Sequence, residues 1–359
     1  MESAPILAAF GNPLLDFILR VNDEEEKDLV RKYDLSKHDA MELDTIQSGL
    51  FHDAMNWHGK ITISPGGCSL NTCRVLQWLH SHRPGTVLFF GSVGKDEQHF
   101  NLKKLCVKDN ISTRLREVED SLTGHCIVLA NGQERTLVAN IGAANQYSLK
   151  HLIQHESLLK DTPMIYVEGF FLNHSPKASN YLALLSNSSD KIFTFNLCGS
   201  YVCREKEYVE NVMNIFPQIN VLFGNAYEFE AFNNTSRQYG LKGIDFLQEE
   251  MEFSTLEGKE GECVGGGNIS HSSHLVIITD GPRDIICLDL EKKKKLRVPV
   301  KRIPKDEIRD TVGAGDSFIA GYLYGIILGK TNRECIEHGV IASHMIIRQN
   351  GVTLPGNQV

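Results

Sequence analysis

The stretch from Asp310 to Phe318 reads DTVGAGDSF and combines glycines with acidic residues in a pattern suited to phosphoryl chemistry. Glycine lacks a Cβ, so the backbone N–H groups around Gly313 and Gly315 can approach an anion closely. Apolar residues at helical spacing follow this motif. We therefore expect Gly313, Ala314 and Gly315 to form the first turn of a helix, where unpaired N–H groups and the helix dipole attract negative charge.

Asp316 lies in the same predicted turn. A carboxylate repels an anion, so its useful role beside an anion site is to take a proton from a hydroxyl that then attacks phosphorus. A short glycine motif is a weak signal by itself. The alternative is a glycine-rich turn in which Asp316 is an ordinary acidic residue at the start of a helix.

A second glycine pair, Gly66 and Gly67, precedes a helix predicted from Cys73 to His80. The backbone at this pair can approach a ligand without obstruction by side chains. Asn71, near the start of the helix, offers both a hydrogen-bond donor and an acceptor. A plain junction between a loop and a helix is the alternative interpretation.

Two charged residues interrupt predicted strands. Asp16 lies within an apolar segment, where a lone carboxylate is costly to bury unless it has donors. It either accepts hydrogen bonds from substrate hydroxyls or pairs with a backbone turn or a nearby base. Arg135 lies on a hairpin predicted around Asn131 and Gly132. It either closes over phosphates as a cation or is a solvated strand charge.

Asn225 and Glu228 are three residues apart, immediately after an apolar strand. Oxygen ligands at this spacing suit a water-mediated Mg²⁺ site beside phosphates. The same pair also fits an N-terminal capping box, in which each side chain accepts from the backbone of the other residue. The two interpretations are compatible.

Strands alternate with helices along the chain, which predicts an α/β doubly wound sheet. The predicted buried strands are Ile6–Phe10, Val87–Val93, Met164–Val167, Ile192–Leu197, Val221–Phe223 and Leu275–Thr279. Helices are expected over 148–160 and 335–348, and a surface excursion over 250–273. Ligands of such sheets bind beyond the carboxyl ends of the strands. The candidates at or just past such ends are Asn12, Phe170, Asn196, Asn225, Thr279 and Asp316.

Composition excludes several classes of protein. The chain has 359 residues and a formal net charge of −8, so no broad basic surface for nucleic acid is expected. Its nine cysteines are scattered without a CxxC pair, which favours a reducing compartment over a disulfide framework or a zinc site. No apolar run reaches membrane-spanning length and no basic leader opens the chain. We expect a cytoplasmic protein of one large domain with an appendage, or of two domains.

Several motifs occur together in one order. Pro65-Gly66-Gly67, Asn225-Ala226-Tyr227-Glu228 and the 310–316 motif resemble those of the PfkB/ribokinase family of small-molecule kinases. The segments 11–16, 138–145, 168–172 and 222–225 resemble, within that family, the eukaryotic-type members that phosphorylate adenosine. The resemblance covers essentially the whole chain.

The resemblance implies a ribokinase-like three-layer α/β/α domain with a central, mostly parallel sheet, plus a small α/β lid. The large domain would comprise residues 1–16, 65–115 and 142–359, and the lid residues 17–64 and 116–141. The implied reaction transfers the γ-phosphoryl group of ATP to the 5′-hydroxyl of adenosine, giving AMP and ADP, with Mg²⁺ as cofactor. A monomer is expected.

The resemblance also implies a role for each candidate residue. Asp316 would deprotonate the 5′-hydroxyl, Gly313, Ala314 and Gly315 would form an anion hole, and Arg135 would approach the ATP phosphates from the lid. The nucleoside would be bound by Asn12, Asp16, Gly66, Gly67, Asn71, Phe170, Asn196 and Tyr201, with Phe170 stacked on the adenine. ATP would be bound by Asn225, Thr279, Gly281, Gly313 and Gly315, and Mg²⁺ would be organised by Glu228 through water.

This chain departs from the family pattern at a few positions. Val312 replaces an Asn that is common in the anion-hole motif, and Tyr201 replaces a common Phe. Cys68-Ser69-Leu70 replaces Ser-Thr-Gln, and the segment around Ala40 and Met41 also differs. These departures bear on selectivity for the base. The alternative functions are a related nucleoside or sugar kinase, and a non-catalytic relative that binds a nucleoside.

Overall fold

A computed structural model describes residues 4–37, 40–43, 49–81, 83–132, 134–189, 191–241, 245–246, 252–255 and 273–356. The strands are β1 (Leu7–Phe10), β2 (Leu14–Arg20), β3 (Ala40–Glu42), β4 (Ile61–Gly66), β5 (Val87–Gly94), β6 (Ser112–Val118), β7 (His125–Asn131), β8 (Glu134–Asn140), β9 (Met164–Glu168), β10 (Ile192–Asn196), β11 (Val221–Asn225), β12 (Ser254–Thr255), β13 (Leu275–Thr279), β14 (Ile285–Asp289) and β15 (Lys294–Val298).

The helices of the described residues surround these strands. They are α1 (Asp23–Tyr33), α2 (Leu50–Met55), α3 (Cys68–Leu79), α4 (Glu97–Lys108), α5 (Leu149–Gln154), α6 (Gly169–His174), α7 (Pro176–Ser188), α8 (Lys206–Ile215), α9 (Ala226–Gln238), α10 (Ala314–Ile327) and α11 (Asn332–Ile346). Among the described residues, no helix combines the length and the apolar character needed to cross a membrane.

The larger sheet has ten strands in the order β12-β15-β14-β13-β11-β10-β9-β1-β5-β6. From β13 to β6 every neighbouring pair is parallel, and β14 runs antiparallel to both of its neighbours. Successive side chains on a strand point to opposite faces. On β1, Leu7 and Ala9 belong to a core shared with α3, α4, α10 and α11, whereas Ala8 and Phe10 belong to a core shared with α5–α9. The predicted three-layer α/β/α architecture is confirmed.

A second sheet has five strands in the order β3-β8-β7-β2-β4. Its inner strands β7 and β2 pair in parallel, and β2 and β4 pair antiparallel, with Asp16 opposite Ser64. One face carries a small apolar cluster of Leu14, Cys126 and Val128. The division of the chain into a large domain and a lid at the boundaries given above stays a prediction.

Local capping explains where the predicted and observed helices differ. Helix α3 begins at Cys68, earlier than predicted, because Gly67 turns the chain directly from β4 into the helix with φ 93°. Helix α11 begins at Asn332 because Thr331 and Glu334 form a capping box. The helix predicted over 148–160 ends at Gln154 and continues as a short 3₁₀ turn over Glu156–Leu159. Most of the predicted excursion over 250–273 lies outside the described residues.

Candidate active site

The carboxyl ends of five adjacent parallel strands form one edge of the large sheet. Strands β13, β11, β10, β9 and β1 are neighbours in that order, so the residues that follow them lie side by side. Helix α10 begins at the same edge, and together they enclose a cavity of about 100 Å³. Predicted site residues that line it are Asn196, Asn225, Glu228, Thr279, Gly315 and Asp316. The structure thus brings together candidates that are up to 120 residues apart in the sequence (Asn196 to Asp316).

Asp316 lies in the first turn of α10 and is 9% exposed. The Asn71 side-chain amide donates to Asp316 Oδ2 at 3.1 Å. Burial raises the pKa of Asp316 to about 7, against the lowering effect of hydrogen bonds from Asn71 and Cys68. A carboxylate with such a pKa is well matched to accept a proton near neutral pH.

The glycines before Asp316 adopt the geometry expected of an anion site. Gly313 is the N-cap of α10 and has a left-handed backbone with φ 75°. A Cβ on Gly313 would lie 2.2 Å from Val352 Cγ2, so this position also has no room for a side chain. A Cβ on Gly315 would meet no atom within 4 Å, which leaves open space above the first turn. The helix therefore begins at Ala314, and Gly313 precedes its first turn rather than forming it.

Asp16 lies over the second glycine pair. A Cβ on Gly66 would lie 1.9 Å from Asp16 Oδ1, and a Cβ on Gly67 would lie 2.1 Å from the carbonyl oxygen of Asn12. Both glycines are therefore required for close approach. Burial raises the pKa of Asp16 to about 7, while Arg74 lowers it and Asp316 raises it. The protonation of Asp16 therefore depends on the charge of Asp316.

Glu168 is a functional candidate that the sequence argument passed over. It is fully buried, and its two carboxylate oxygens accept the backbone N–H groups of Asn12 at 2.6 Å and Ser69 at 2.8 Å. It thereby joins the turn after β1 to the start of α3, which carry the predicted nucleoside contacts. Burial raises the pKa of Glu168 to about 8. The signal in the sequence was an acid directly after the apolar strand Met164–Val167.

Replacing Glu168 with alanine is expected to lower the free energy of unfolding by about 2–4 kcal/mol, because two buried N–H groups lose their acceptors. Urea unfolding of the ligand-free protein measures this. Glu119→Ala, which removes an exposed partner of Lys95, is the control and should change stability by less than about 1 kcal/mol. Equal losses in the two variants would contradict the bridging role of Glu168.

Phe170 and Tyr201 follow the carboxyl ends of β9 and β10 and form an aromatic pair, and neither lines the cavity described above. Their rings stack with centroids 5.7 Å apart and planes 25° apart. The Tyr201 hydroxyl donates to Glu42 Oε1 on β3 at 3.2 Å, which joins the two sheets. The phenylalanine that the resemblance leads us to expect at this position has no hydroxyl for this contact. Asn12 lies at this edge of the sheet, just past β1, and its side-chain amide nitrogen is 2.9 Å from His174 Nδ1.

Asn225 and Glu228 form the capping box, with N···O distances of 2.9 Å in both directions. Glu228 also lines the cavity and is 6% exposed. Burial, with a smaller contribution from the Asp316 charge, raises the pKa of Glu228 to about 7 against the lowering effect of its hydrogen bonds with Asn225. Thr279 ends β13 and donates to the Gly224 carbonyl at 3.4 Å, and Gly281 follows with φ 53°. The capping box predicted from Asn225 and Glu228 is therefore present, and Glu228 also lines the cavity.

Arg135 does not stand free on the hairpin. Its guanidinium group is buried and contacts Asp310 Oδ2 through Nε at 3.2 Å and through one terminal nitrogen at 2.8 Å. Asp310 also accepts the backbone N–H groups of Val312 and Gly351. The second sheet is thus joined to the loop that leads into the anion site. Contact between Arg135 and ATP phosphates stays a prediction.

Asp316→Asn is expected to stabilise the ligand-free, Mg²⁺-free protein at pH 8. Because burial raises the pKa of Asp316 from 3.8 to about 7, the folded state binds the proton more tightly than the unfolded state. This contribution to stability is present below about pH 4 and is lost as pH rises towards 7. Between pH 5 and 8 the free energy of unfolding should therefore fall less in the variant, by at most about 3 kcal/mol, which is about two pKa units. Parallel slopes for the two proteins in urea titrations would contradict this.

Comparison with known proteins connects this geometry to a family. The pfkB family carbohydrate kinase model matches residues 29–358. Adenosine kinase 2 of Arabidopsis thaliana is 31% identical over 353 residues, which cover 98% of this chain and 96% of that protein.

Solved structures of similar proteins have the same fold over nearly their whole length. The crystal structure of Anopheles gambiae adenosine kinase in complex with P1,P4-di(adenosine-5) tetraphosphate gives a TM-score of 0.83 at 29% identity, covering 99% of both chains. Adenosine kinase from Schistosoma mansoni in complex with 2-fluoroadenosine gives 0.83 at 27% identity, covering 99% of this chain and 98% of that one. A buried carboxyl group beside an open glycine turn, on this fold and with these matches, identifies the chain as a member of the pfkB carbohydrate kinase family.

Proposed function

We propose that this kinase transfers the γ-phosphoryl group of ATP to the 5′-hydroxyl of adenosine, giving AMP and ADP. The observation that carries the proposal is the buried Asp316 carboxyl group, which faces a cavity beside the open backbone of Gly315. The adenosine kinases that match along nearly the whole chain support adenosine as the acceptor.

The proposed step needs one base and one anion site. The Asp316 carboxylate takes the proton of the 5′-hydroxyl, whose oxygen then forms a bond to the γ-phosphorus. The bond between that phosphorus and the bridging oxygen breaks, and ADP leaves. Backbone N–H groups at Gly313 and Gly315 hold the migrating phosphoryl group, and the Ala314 N–H group joins them when it exchanges its bond with the Thr311 carbonyl for the phosphoryl oxygen. Such donors in a water-poor site stabilise the charge of the transition state, each contributing about 10²–10³-fold in rate.

The nucleoside would lie between the two sheets. Asp16 would accept from the ribose hydroxyls, helped by Asn71, Asn12 and the bare backbone of Gly66 and Gly67. Phe170 and Tyr201 would contact the base, and Asn196 would lie beneath it. The second sheet would act as the lid that keeps water, a competing acceptor, away from the phosphoryl group.

ATP would enter from the side of Asn225, Thr279 and Gly281. Mg²⁺, when bound with ATP, would neutralise phosphate charge, and Glu228 is suited to hold it through water. The fit rests on two buried carboxyl groups, Glu228 and Asp316, that line one cavity. The Asp316 charge raises the pKa of Glu228, and a cation between the two groups would relieve this repulsion. We further propose a cytoplasmic monomer.

The test is ADP release with ATP and Mg²⁺ and a panel of adenosine, inosine, guanosine and ribose. We expect the highest kcat/KM with adenosine. If ribose or inosine were preferred, the proposed kinase reaction would stand but its acceptor would not be adenosine. Tight adenosine binding without turnover on any acceptor would instead indicate a non-catalytic relative.

Phe170→Ala is expected to raise KM for adenosine by about 5- to 150-fold, because stacking of a base on an aromatic ring contributes about 1–3 kcal/mol. KM for ATP should change little. Steady-state kinetics with each substrate varied in turn provide the measurement. Phe100→Ala, on the exposed side of α4, is the control. An unchanged KM for adenosine in Phe170→Ala would place the base elsewhere.

A further inference from the structure

Two cysteines of the cavity wall lie beside the buried Glu168. The Sγ atoms of Cys68 and Cys198 and one carboxylate oxygen of Glu168 all lie within 4.8 Å of one another. Cys68 and Cys198 both line the cavity, so an ion that enters it can reach both sulfurs. Neither thiol has a part in the phosphoryl transfer described above.

The position of each sulfur is fixed by the backbone. Cys68 is the first residue of α3, immediately after Gly67. Cys198 has a left-handed backbone with φ 70°, which is unusual for a residue with a side chain and is found more often at functional sites. The Asn196 amide donates to Cys198 Sγ at 3.2 Å, and the Cys198 N–H donates to Asn196 Oδ1 at 3.4 Å.

Glu168 retains the capacity to bind an ion. Each of its carboxylate oxygens accepts one backbone N–H group, from Asn12 or Ser69. Two carboxylate oxygens offer about four lone-pair positions in total, so positions remain for a cation.

The donor set selects the class of ion. Two sulfurs and one carboxylate oxygen suit Zn²⁺ or another thiophilic divalent cation, whereas Mg²⁺ requires oxygen ligands. Zinc–sulfur bonds of about 2.3 Å place two sulfurs of a tetrahedral site about 3.8 Å apart. Small side-chain rotations would therefore convert the present cluster into a three-ligand site with one open position.

We propose that Cys68, Glu168 and Cys198 form a binding site for a thiophilic divalent cation such as Zn²⁺, and that its occupation inhibits the enzyme. Both thiols, together with the Glu168 carboxyl group where it is protonated, lose their protons to solvent on binding. Asp316 lines the same cavity as Cys68 and Cys198, so an ion held by the two sulfurs lies in the cavity of the proposed base. The inhibition rests on the proposed function, but the binding does not.

Binding is tested directly with Cd²⁺, whose thiolate complexes absorb in the ultraviolet. The full chain is reduced with a phosphine, freed of metal and titrated with Cd²⁺. We expect a charge-transfer band that saturates at one equivalent. Cys68→Ser and Cys198→Ser should each weaken binding by about 100-fold or more, because each removes one of three ligands. Cys335→Ala, on α11, is the control and should titrate like the parent protein.

Inhibition is tested by adding Zn²⁺ to the ADP-release assay with Mg²⁺ in excess. We expect Zn²⁺ to inhibit the parent protein and Cys335→Ala, and a chelator to restore their activity. Inhibition of Cys198→Ser, measured as a fraction of that variant's rate without Zn²⁺, should require a much higher Zn²⁺ concentration. Absence of the Cd²⁺ band, or an equal band in Cys198→Ser, would overturn the site. Inhibition reversed by the phosphine and not by a chelator would indicate a disulfide instead. If the parent protein shows no kinase activity, the proposed function is wrong, and the Cd²⁺ titration still shows whether the cation site exists.

Discussion

Asp316→Asn is expected to lower kcat by about 10²- to 10⁴-fold, because asparagine cannot accept the proton of the attacking hydroxyl. The change is nearly isosteric, and the Asn71 amide that donates to Asp316 Oδ2 retains an oxygen to which it can donate. Binding of adenosine and ATP should therefore persist. Single-turnover kinetics and calorimetric binding on the same preparations separate the loss of chemistry from a loss of binding.

The control for this variant is Asp28→Asn, which alters an exposed carboxylate paired with Arg31 on α1. It should retain the parent rate. Turnover preserved in Asp316→Asn would exclude Asp316 as the base. Loss of adenosine binding together with turnover would instead assign Asp316 to substrate positioning.

The pH profile gives a second measure of the same group. Only the ionised carboxylate accepts a proton, so kcat/KM should fall about tenfold per unit as pH falls below the pKa of the free enzyme. That pKa is raised to about 7 by burial, and the hydrogen bond from Asn71 opposes the shift. Asn71→Leu should therefore move the acidic limb to higher pH. The pKa of Asp16 is also about 7, and the Asp316 charge contributes to raising it. The acidic limb of the pH profile therefore reports the titration of Asp16 and Asp316 together.

Much of the site could be predicted from sequence because its backbone geometry is a local property. Apolar strands that end at or just before Asn12, Asn196, Asn225 and Thr279 predict the edge of a parallel sheet, and the observed strand order places the ends of these strands at one edge. The spacing of Asn225 and Glu228 predicts a capping box, which the hydrogen bonds confirm. Gly313 has a left-handed backbone with φ 75°, a conformation that glycine adopts more readily than other residues, so a glycine here is a local signal of the turn.

The contacts between distant segments could not be predicted in the same way. Glu168 accepts from residues 156 and 99 positions away, and no local pattern specifies such partners. The same limit applies to Arg74, which interrupts the apolar side of α3 and binds the Asp109 carboxylate at 2.6 Å. A charged residue in an apolar run predicts that a partner exists, but the partner is determined by the tertiary fold.

Arg135→Ala is expected to lower the free energy of unfolding by about 3–5 kcal/mol, because it leaves the Asp310 carboxylate buried without its cation. The two side chains are only 6% and 4% exposed. Asp310 retains the N–H groups of Val312 and Gly351, which favours the lower end of that range. Urea unfolding in the absence of ligands measures the loss.

Arg348→Ala is a matched control, because the Arg348 guanidinium contacts Glu307 Oε2 through the same two kinds of nitrogen, at 2.8 and 2.6 Å. That pair is 38% and 44% exposed, and an exposed ion pair contributes about 0–1 kcal/mol. Similar losses in the two variants would show that burial does not determine the effect at Arg135.

Kinetics then separate the two roles of Arg135. If the guanidinium leaves Asp310 to bind ATP phosphates when the second sheet closes, Arg135→Ala raises KM for ATP and lowers kcat at temperatures where the variant is fully folded. Arg135→Lys would recover part of the charge but not the two-nitrogen contact with Asp310. A destabilised Arg135→Ala with the parent kcat and KM for ATP would restrict Arg135 to holding the second sheet against the anion-site loop. Because the same two nitrogens cannot bind Asp310 and a phosphate at once, tighter pairing with Asp310 would oppose the proposed contact between Arg135 and ATP.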